Sequence, residues 1–279
     1  FAINDKLSSA FKPAALKTGR QADVKAAEEW FNAVKPHFYR APMDNDKGFG
    51  NWIAKDWKNN RLDNPEVVTV KPLSSKRNAD GTVTVAVTQE CRYVNGKITA
   101  DYLYTMDAYG SVDFKAVYTP EGQLPPLPCV GNTFVLDKDM TQLSWYGRGL
   151  QDSYVDRLEA TSIGRWTSSV PQEYVHYPRP QSSGNHEQTV TLSLTTAKGK
   201  GYTVTTADGK PFSFSALPYS EAQLSTVAHD CDLQAEDNVY LNIDARMMGL
   251  GNSSCGPGVL TKYSVPQEPH TLHLMFTRK

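Results

Sequence analysis

Short segments in which apolar and polar residues alternate are the feature that most constrains this fold. Residues 82–88, Thr-Val-Thr-Val-Ala-Val-Thr, alternate strictly and are rich in β-branched side chains, which is typical of a β-strand with one buried face. Similar segments recur along the chain, at residues 97–106, 111–118, 189–194, 202–205, 211–215, 240–244 and 270–276. Residues 107–110, Asp-Ala-Tyr-Gly, supply a turn, so 97–118 is predicted to form a β-hairpin.

Helical spacing is rare in this sequence. Residues 22–30 have it over two turns, and Ser220 could cap a short helix through Leu224 to Ala228. Neither segment lies between strands as the crossover of a parallel sheet would. Strands this numerous and short therefore predict an all-β fold of two large antiparallel sheets packed face to face. Composition does not change across the proline-rich stretch at 123–128, so we predict one domain over residues 1–279.

The charge and hydropathy patterns argue against two classes of partner. The 29 Lys and Arg residues nearly balance the 30 Asp and Glu residues, and no segment carries a basic stripe, so no nucleic-acid partner is expected. Apolar runs extend over only a few residues, so no membrane span is expected either. The chain starts at Phe1 without a signal-like segment. We interpret it as part of a longer protein whose amino-terminal region decides between cytoplasm and periplasm.

The cysteine pattern predicts no metal site within this chain. Cys91, Cys129, Cys231 and Cys255 are scattered and form no Cys-x-x-Cys pair, so we expect buried thiols rather than a zinc site. Residues 44–48, Asp-Asn-Asp-Lys-Gly, do not fit an EF-hand calcium loop, because the glycine stands at the fifth position instead of the sixth.

Three longer motifs are unusual in composition. The first, residues 39–48, reads Tyr-Arg-Ala-Pro-Met-Asp-Asn-Asp-Lys-Gly, and the second, residues 143–157, contains Trp-Tyr-Gly-Arg-Gly. The third, residues 248–258, reads Met-Gly-Leu-Gly-Asn-Ser-Ser-Cys-Gly-Pro-Gly. In this order the motifs resemble those of the C-terminal small-chain domain of lac-type β-galactosidases, in glycoside hydrolase family two. The resemblance covers essentially the whole chain.

This resemblance implies a galactose mutarotase-like supersandwich within a parent enzyme that hydrolyses terminal β-D-galactosides with retention. Retaining hydrolysis needs two carboxyl groups about 5 Å apart. The family carries both in an upstream TIM barrel, so we expect no catalytic residue here and no activity of this chain alone. The expected partners are the upstream domains of the same polypeptide and the β-galactoside substrate, in a homo-oligomeric parent. The resemblance allows Mg²⁺ and Na⁺ in the parent and implies no cofactor in this chain.

The resemblance also places two loops at the edge of the substrate pocket. One follows the first motif, and the other is the third motif. The candidate pocket-edge residues are therefore Asp46, Gly48, Trp52, Asn252, Ser254 and Cys255.

Cys255 departs from the family pattern, because the best-known members place a sugar-stacking Trp at this position. An aromatic ring offers a sugar a flat apolar face that a thiol lacks. Either Trp52 or Trp57 therefore replaces it, or the site facing the leaving sugar is looser.

Several motif residues also have a structural interpretation. Asp44, Asn45 and Asp46 could satisfy backbone N–H groups in a tight loop, with Arg40 as the charge partner of one carboxylate. The segment from Trp145 to Arg148 could shape the end of a strand and the bend after it. We therefore assign a structural rather than a catalytic role to Arg40, Asp44, Asn45, Trp145 and Arg148, and leave both roles open for Asp46.

Two other functions remain open from the residues alone. A free-standing mutarotase or epimerase would need a general acid and base, for which His176 or His229 with Glu173 or Asp230 are the candidates. A non-catalytic carbohydrate-binding module would expose Trp and Tyr side chains on one sheet face.

Overall fold

The computed structural model describes residues 21–48 and 53–279. The α-helices in these ranges are short: α1 (Val24–Trp30), α2 (Asp44–Lys47), α3 (Ile53–Asn60) and α4 (Glu221–Thr226). Most of the remaining regular structure is extended, in strands β1 (Val34–His37), β2 (Glu66–Arg77), β3 (Val83–Arg92), β4 (Gly96–Met106), β5 (Val112–Gly122), β6 (Cys129–Asp137), β7 (Gln142–Gly149), β8 (Ser162–Ser169), β9 (His186–Thr189), β10 (Thr191–Thr195), β11 (Gly201–Thr206), β12 (Phe212–Leu217), β13 (Asn238–Met247) and β14 (His270–Arg278).

The strands form two sheets, and each neighbouring pair is antiparallel. The smaller sheet has the order β1-β6-β13-β12-β9, and the larger has the order β2-β3-β4-β5-β14-β11-β10-β7-β8. The predicted hairpin is present, because β4 and β5 pair from Gly96↔Gly122 to Met106↔Val112. The all-β, antiparallel, two-sheet prediction is therefore confirmed.

The hydrophobic core lies between the two sheets. Phe114 of the larger sheet and Phe134 of the smaller sheet contact each other with ring centroids 5.9 Å apart. Trp30, at the end of α1, contacts both rings and also Phe276. Burying side chains of this size stabilises a fold by roughly 1.5–3 kcal/mol each, so this aromatic cluster joins the two layers.

Sequence patterning located strands with one buried face, and also β12, which is buried on both faces, but it missed several others. In β3, Val83, Val85 and Val87 are buried on one side, as the alternation predicts. Strand β6 is buried on both faces and β2 is largely exposed along its length, so neither alternates. Strands β1, β7, β8 and β9 were also not predicted, because their patterns are short or rich in Gly and polar residues.

The connections mostly follow their local chemistry. Asp23 caps α1 by accepting from the backbone N–H groups of Lys25 and Ala26, and Ser220 caps α4 as predicted. Residues 123–128 carry the chain from the larger sheet to the smaller one. In the described part of the chain, no helix has the length and apolar character needed to cross a membrane.

Candidate functional site

The first and third motifs meet through the side chain of Arg40. This guanidinium is completely buried and donates to both carboxylate oxygens of Asp46, at 2.8 Å from Nη2 and 3.2 Å from Nε. Its Nη1 donates to the carbonyl of Met248, at 3.0 Å. Paired charge and hydrogen bonds offset the cost of burying the guanidinium, so Arg40 fastens the third motif to the loop of the first.

Asp46 is used inside the protein. Besides Arg40, its Oδ2 accepts from the backbone N–H of Met43 at 3.0 Å, which closes the turn that starts α2. The side chain is 1% exposed. The structure therefore gives Asp46 the structural role that the sequence allowed, and we do not retain it as a sugar contact.

Asn45 adds contacts to the third motif, and Asp44 extends the network to one further loop. Asn45 Nδ2 donates to the carbonyl of Gly251 at 2.9 Å, and Asn45 Oδ1 accepts from the hydroxyl of Ser254. The backbone N–H of Asp44 donates to Gln181 Oε1, while Gln181 Nε2 donates back to the Asp44 carboxylate. The predicted role, in which these side chains satisfy backbone N–H groups, is seen for Asp46. Asn45 instead holds a backbone carbonyl, and the Asp44 carboxylate holds the side chain of Gln181.

The second motif reaches the third through its last two residues. The Asp156 carboxylate accepts from the backbone N–H groups of Leu250 and Gly251, at 3.1 and 2.7 Å. Arg157 donates to the carbonyl of Gly251 and to the side chain of Asn252. Asp156 and Arg157 belong to the second motif, but nothing in the sequence indicated their role. Their partners in the third motif are distant in the sequence and are brought near by the tertiary structure.

The third motif presents three of the candidate side chains at the surface. Asn252, Ser254 and Cys255 are exposed, whereas Gly251 and Ser253 are buried. The turn is internally bonded, since the backbone N–H of Asn252 donates to the carbonyl of Pro257 at 2.9 Å. Gly251 has a φ of +63°, which a side chain would make unfavourable. This loop is held in place while its tip is exposed.

Of the remaining candidates in and after the first motif, the structure describes Gly48 and Trp57 but not Trp52. Gly48 follows α2 with a φ of 52°, and Trp52 lies outside the described residues. Trp57 is completely buried on α3, where its Nε1 donates to the carbonyl of Pro126 and its ring lies 5.8 Å from the Arg40 guanidinium. The idea that Trp57 stacks on the sugar is therefore wrong, because its ring already packs inside the core.

Trp145 and Arg148 shape the end of β7. Trp145 is buried and its Nε1 donates to the carbonyl of Arg148 at 2.8 Å. Arg148 in turn donates to Gln188 Oε1 at 2.8 Å and to the carbonyls of Leu158 and Thr161. Both side chains thus hold the bend after the strand, in agreement with their structural interpretation.

The expectation of four buried thiols is half wrong. Cys91 and Cys129 are buried, but Cys231 and Cys255 are exposed. Burial raises the pKa of the Cys91 thiol to about 12 and that of the Cys129 thiol to about 11. Reactive thiolate chemistry is therefore suppressed at the two buried positions.

Two histidine–carboxylate pairs occur near the candidates for an epimerase. His176 Nδ1 lies 2.9 Å from Asp230 on the surface, and the hydroxyl of Tyr174 donates to the same carboxylate. Glu173 instead pairs with His186, at 2.5 Å in the protein interior. The four candidates do not come together as one acid–base cluster.

The aromatic pattern bears on a free-standing carbohydrate-binding module. Among residues 21–48 and 53–279, Trp30, Trp57 and Trp145 are buried and Trp166 is half-buried. Tyr146 of β7 is the exposed aromatic residue in this part of the chain, so a face of several exposed Trp and Tyr side chains is not present among the described residues.

One group of three side chains in the described ranges could hold a metal ion: His37, Cys129 and Asp244. Imidazole and thiol donors suit soft transition metals, whereas Mg²⁺ and Na⁺ take oxygen ligands. This group therefore does not fit the ions that the resemblance allows in the parent enzyme.

Comparison with known proteins places these motifs in a family. The family model described as "Beta galactosidase small chain" matches residues 13–277. The chain belongs to the beta galactosidase small chain family. All three joined motifs lie within the matched part of this small-chain domain.

Curated relatives agree with the family assignment. This small chain is 30% identical over 232 residues to a beta-galactosidase of Actinobacillus pleuropneumoniae, which covers 81% of this chain and 22% of the relative. A beta-galactosidase of Streptococcus thermophilus is 32% identical over 218 residues, which covers 78% of this chain and 21% of the relative. The chain thus spans about a fifth of the length of these relatives.

A solved structure was also matched. A GalM/aldose epimerase homologue from C. elegans covers 74% of this small chain and 68% of its own, with 14% sequence identity and a TM-score of 0.34.

Proposed function

We propose that this chain borders and completes the sugar-binding pocket of a β-galactosidase whose catalytic domain lies elsewhere in the same polypeptide. The observation that carries the proposal is the convergence of three motifs at the turn of residues 251–258. Arg40, Asn45 and Asp156 each bond to backbone groups between Met248 and Gly251. A turn held this firmly can offer its exposed tip to a ligand at little entropic cost.

The chemistry of that tip suits sugar binding rather than bond cleavage. Asn252 and Ser254 offer an amide and a hydroxyl, and neither is an acid–base group at neutral pH. The nearby carboxylates of Asp46 and Asp156 are engaged with Arg40 and with the backbone. We therefore assign the two carboxyl groups of retaining hydrolysis to the catalytic domain, and we propose that the chain is inactive alone.

The substrate, the ions and the contacts between subunits are assigned in the same way. We propose that the terminal β-D-galactoside substrate, any Mg²⁺ or Na⁺, and the contacts of a homo-oligomer belong to the whole enzyme. Gly48 and Trp52, in and after the first motif, would border the pocket together with Asn252, Ser254 and Cys255.

Hydrolysis of a chromogenic β-galactoside tests the proposal. We expect turnover by the whole polypeptide and none by the 279-residue chain alone. In the whole enzyme, the Asn252→Ala/Ser254→Ala double variant should raise KM, whereas Ser162→Ala on the exposed strand β8 should not. Turnover by the chain alone, or an unchanged KM in the double variant, would overturn the proposed role.

A further inference from the structure

A cavity of about 660 Å³ lies between three segments that are distant in the sequence. One wall contains Lys47, at the end of α2, and side chains of α3. The second contains Arg179, in the connection before β9, and the third is formed by residues 224–228, at the end of α4. The described lining includes no residue of the turn 251–258, so a ligand in this cavity would not occupy that turn.

Positive charge predominates around this cavity. Its cationic lining residues are Lys47, Lys55, Lys58 and Arg179, and Asp63 is the carboxylate found among the described lining residues. None of the four cations forms an ion pair with a carboxylate of residues 21–48 or 53–279. The whole chain has 29 Lys and Arg residues against 30 Asp and Glu residues, so the excess of positive charge is a local feature of the cavity.

The fold holds these like charges close together. Lys55 and Lys58 are three positions apart on α3, so they project from the same face of the helix, where like charges repel. Burial lowers the pKa of Lys47, and the nearby charge of Arg179 adds to this effect, whereas carboxylates of the first motif oppose it. A bound anion would relieve both repulsions, and a cleft lined by one sign of charge raises the local concentration of the opposite ion.

The rest of the lining is largely apolar. Leu224 is buried, Tyr39 and Val227 are half-buried, and all three border the cavity together with Pro42. Ligand pockets of about 300–1,000 Å³ typically combine such apolar walls with a few charged groups that orient the ligand. The cavity therefore suits a molecule with an apolar body and negatively charged groups better than it suits a bare inorganic ion.

We propose that this cavity binds a small organic anion that carries two negative charges, supplied by a phosphate ester or by a pair of carboxylates. Both kinds of group accept charge-assisted hydrogen bonds from lysine and arginine, and the planar guanidinium of Arg179 can contact two oxygen atoms at once. The apolar body of the ligand would cover Tyr39, Leu224 and Val227. This site goes beyond the pocket-edge role proposed above and does not depend on it.

Calorimetric titration of the 279-residue chain with phenyl phosphate tests the site without any assay of activity. We expect saturable binding of one molecule per chain, weaker binding of inorganic phosphate, which lacks the apolar body, and no binding of benzyl alcohol, which lacks the charge. Phthalate, a dicarboxylate on the same kind of ring, distinguishes the two sources of charge, because the tighter of the two aromatic anions carries the group that the cavity prefers. Added salt should weaken the binding, because it screens exposed charges.

Removal of charge locates the binding. The Lys58→Gln/Arg179→Gln double variant should weaken phenyl phosphate binding by about 10-fold or more, because charge-assisted hydrogen bonds to the ligand are lost. The Lys198→Gln/Lys200→Gln double variant is the matched control, since it removes two positive charges from the exposed turn between β10 and β11. It should leave the affinity nearly unchanged. Both variants replace exposed side chains, and circular dichroism checks that each is folded.

Three results would overturn the proposal. One is the absence of saturable binding of phenyl phosphate and of phthalate to the unaltered chain. Another is an equal affinity of the two double variants for phenyl phosphate, which would place the binding elsewhere or reduce it to an effect of net charge. The third is binding of benzyl alcohol as tight as that of phenyl phosphate, which would show that the cations play no part.

Discussion

Arg40 and Asp46 form a buried ion pair in which two guanidinium nitrogens contact the two carboxylate oxygens, at 2.8 and 3.2 Å. The pair joins the first motif to the third, since Arg40 also donates to Met248. Because the pair lies between the two motifs, we expect the turn of residues 251–258 to depend on it. This is the turn that we propose contacts the sugar.

Removing one charge of this pair should destabilise the protein strongly. Asp46→Asn leaves the Arg40 guanidinium buried without a counter-ion, and we expect the free energy of unfolding to fall by about 3–5 kcal/mol. Urea unfolding of the isolated chain measures this change. Asp237→Asn is the matched control, because its partner Lys138 and Asp237 itself are largely exposed, and it should leave the stability nearly unchanged. Equal effects of the two substitutions would contradict the structural role of Asp46.

The close approach of Gly249 to Asp156 gives a second prediction. A Cβ atom at Gly249 would lie 2.7 Å from Asp156 Cγ, so Gly249→Ala must displace the carboxylate that holds Leu250 and Gly251. We expect a loss of about 1–3 kcal/mol in unfolding free energy and faster amide exchange at Gly251.

Gly256→Ala serves as the control for that measurement. It lies in the same turn, but its nearest neighbour would be 3.2 Å from the new Cβ, a contact that a small shift relieves. Unchanged exchange at Gly251 in Gly249→Ala would show that Asp156 does not hold the turn.

The difference between local and tertiary information explains what the sequence could and could not predict. Arg40 and Asp46 lie six positions apart in one motif, so their pairing was accessible from chemistry alone. The cluster of His37, Cys129 and Asp244 was not, because it depends on the register of three strands and on an irregularity after Asp244. Trp57 failed as a sugar-stacking candidate for the same reason, since its partner Pro126 lies on a distant connection.

Glu187 should make stability depend on pH. Burial raises the pKa of this carboxyl from 4.5 to about 7, although Asn185 donates to it and Arg246 lies near. The folded state therefore binds the proton more tightly than the unfolded state. Its contribution to stability is complete below pH 4.5 and is lost as the pH rises to about 7.

Glu187→Gln removes this dependence. Relative to the unaltered chain, the variant should gain about 1–3 kcal/mol of unfolding free energy between pH 4 and pH 8. Urea unfolding at a series of pH values measures the gain. Parallel stability curves for the two proteins would rule out a raised pKa at Glu187.

The exposure of the four cysteines predicts their reactivity. Under native conditions a thiol reagent such as DTNB should modify Cys231 and Cys255 quickly, and Cys91 and Cys129 only after unfolding. Cys255→Ser should halve the fast phase. A fast phase that includes Cys129 would contradict its burial.

Cys255 also tests how the proposed pocket meets the leaving sugar. Cys255 is exposed at the tip of the third motif, so a larger side chain can be placed there without disturbing the core. In the whole enzyme, Cys255→Trp should lower KM for lactose by severalfold, because an indole ring offers the bound sugar a flat apolar face that a thiol lacks. A nitrophenyl galactoside, which has no second sugar, should change less. Cys231→Trp, at the other exposed cysteine, should leave both KM values unchanged. If Cys255→Trp and Cys231→Trp behave alike toward both substrates, Cys255 does not face the leaving sugar, and the third motif contributes to the enzyme only through its structure.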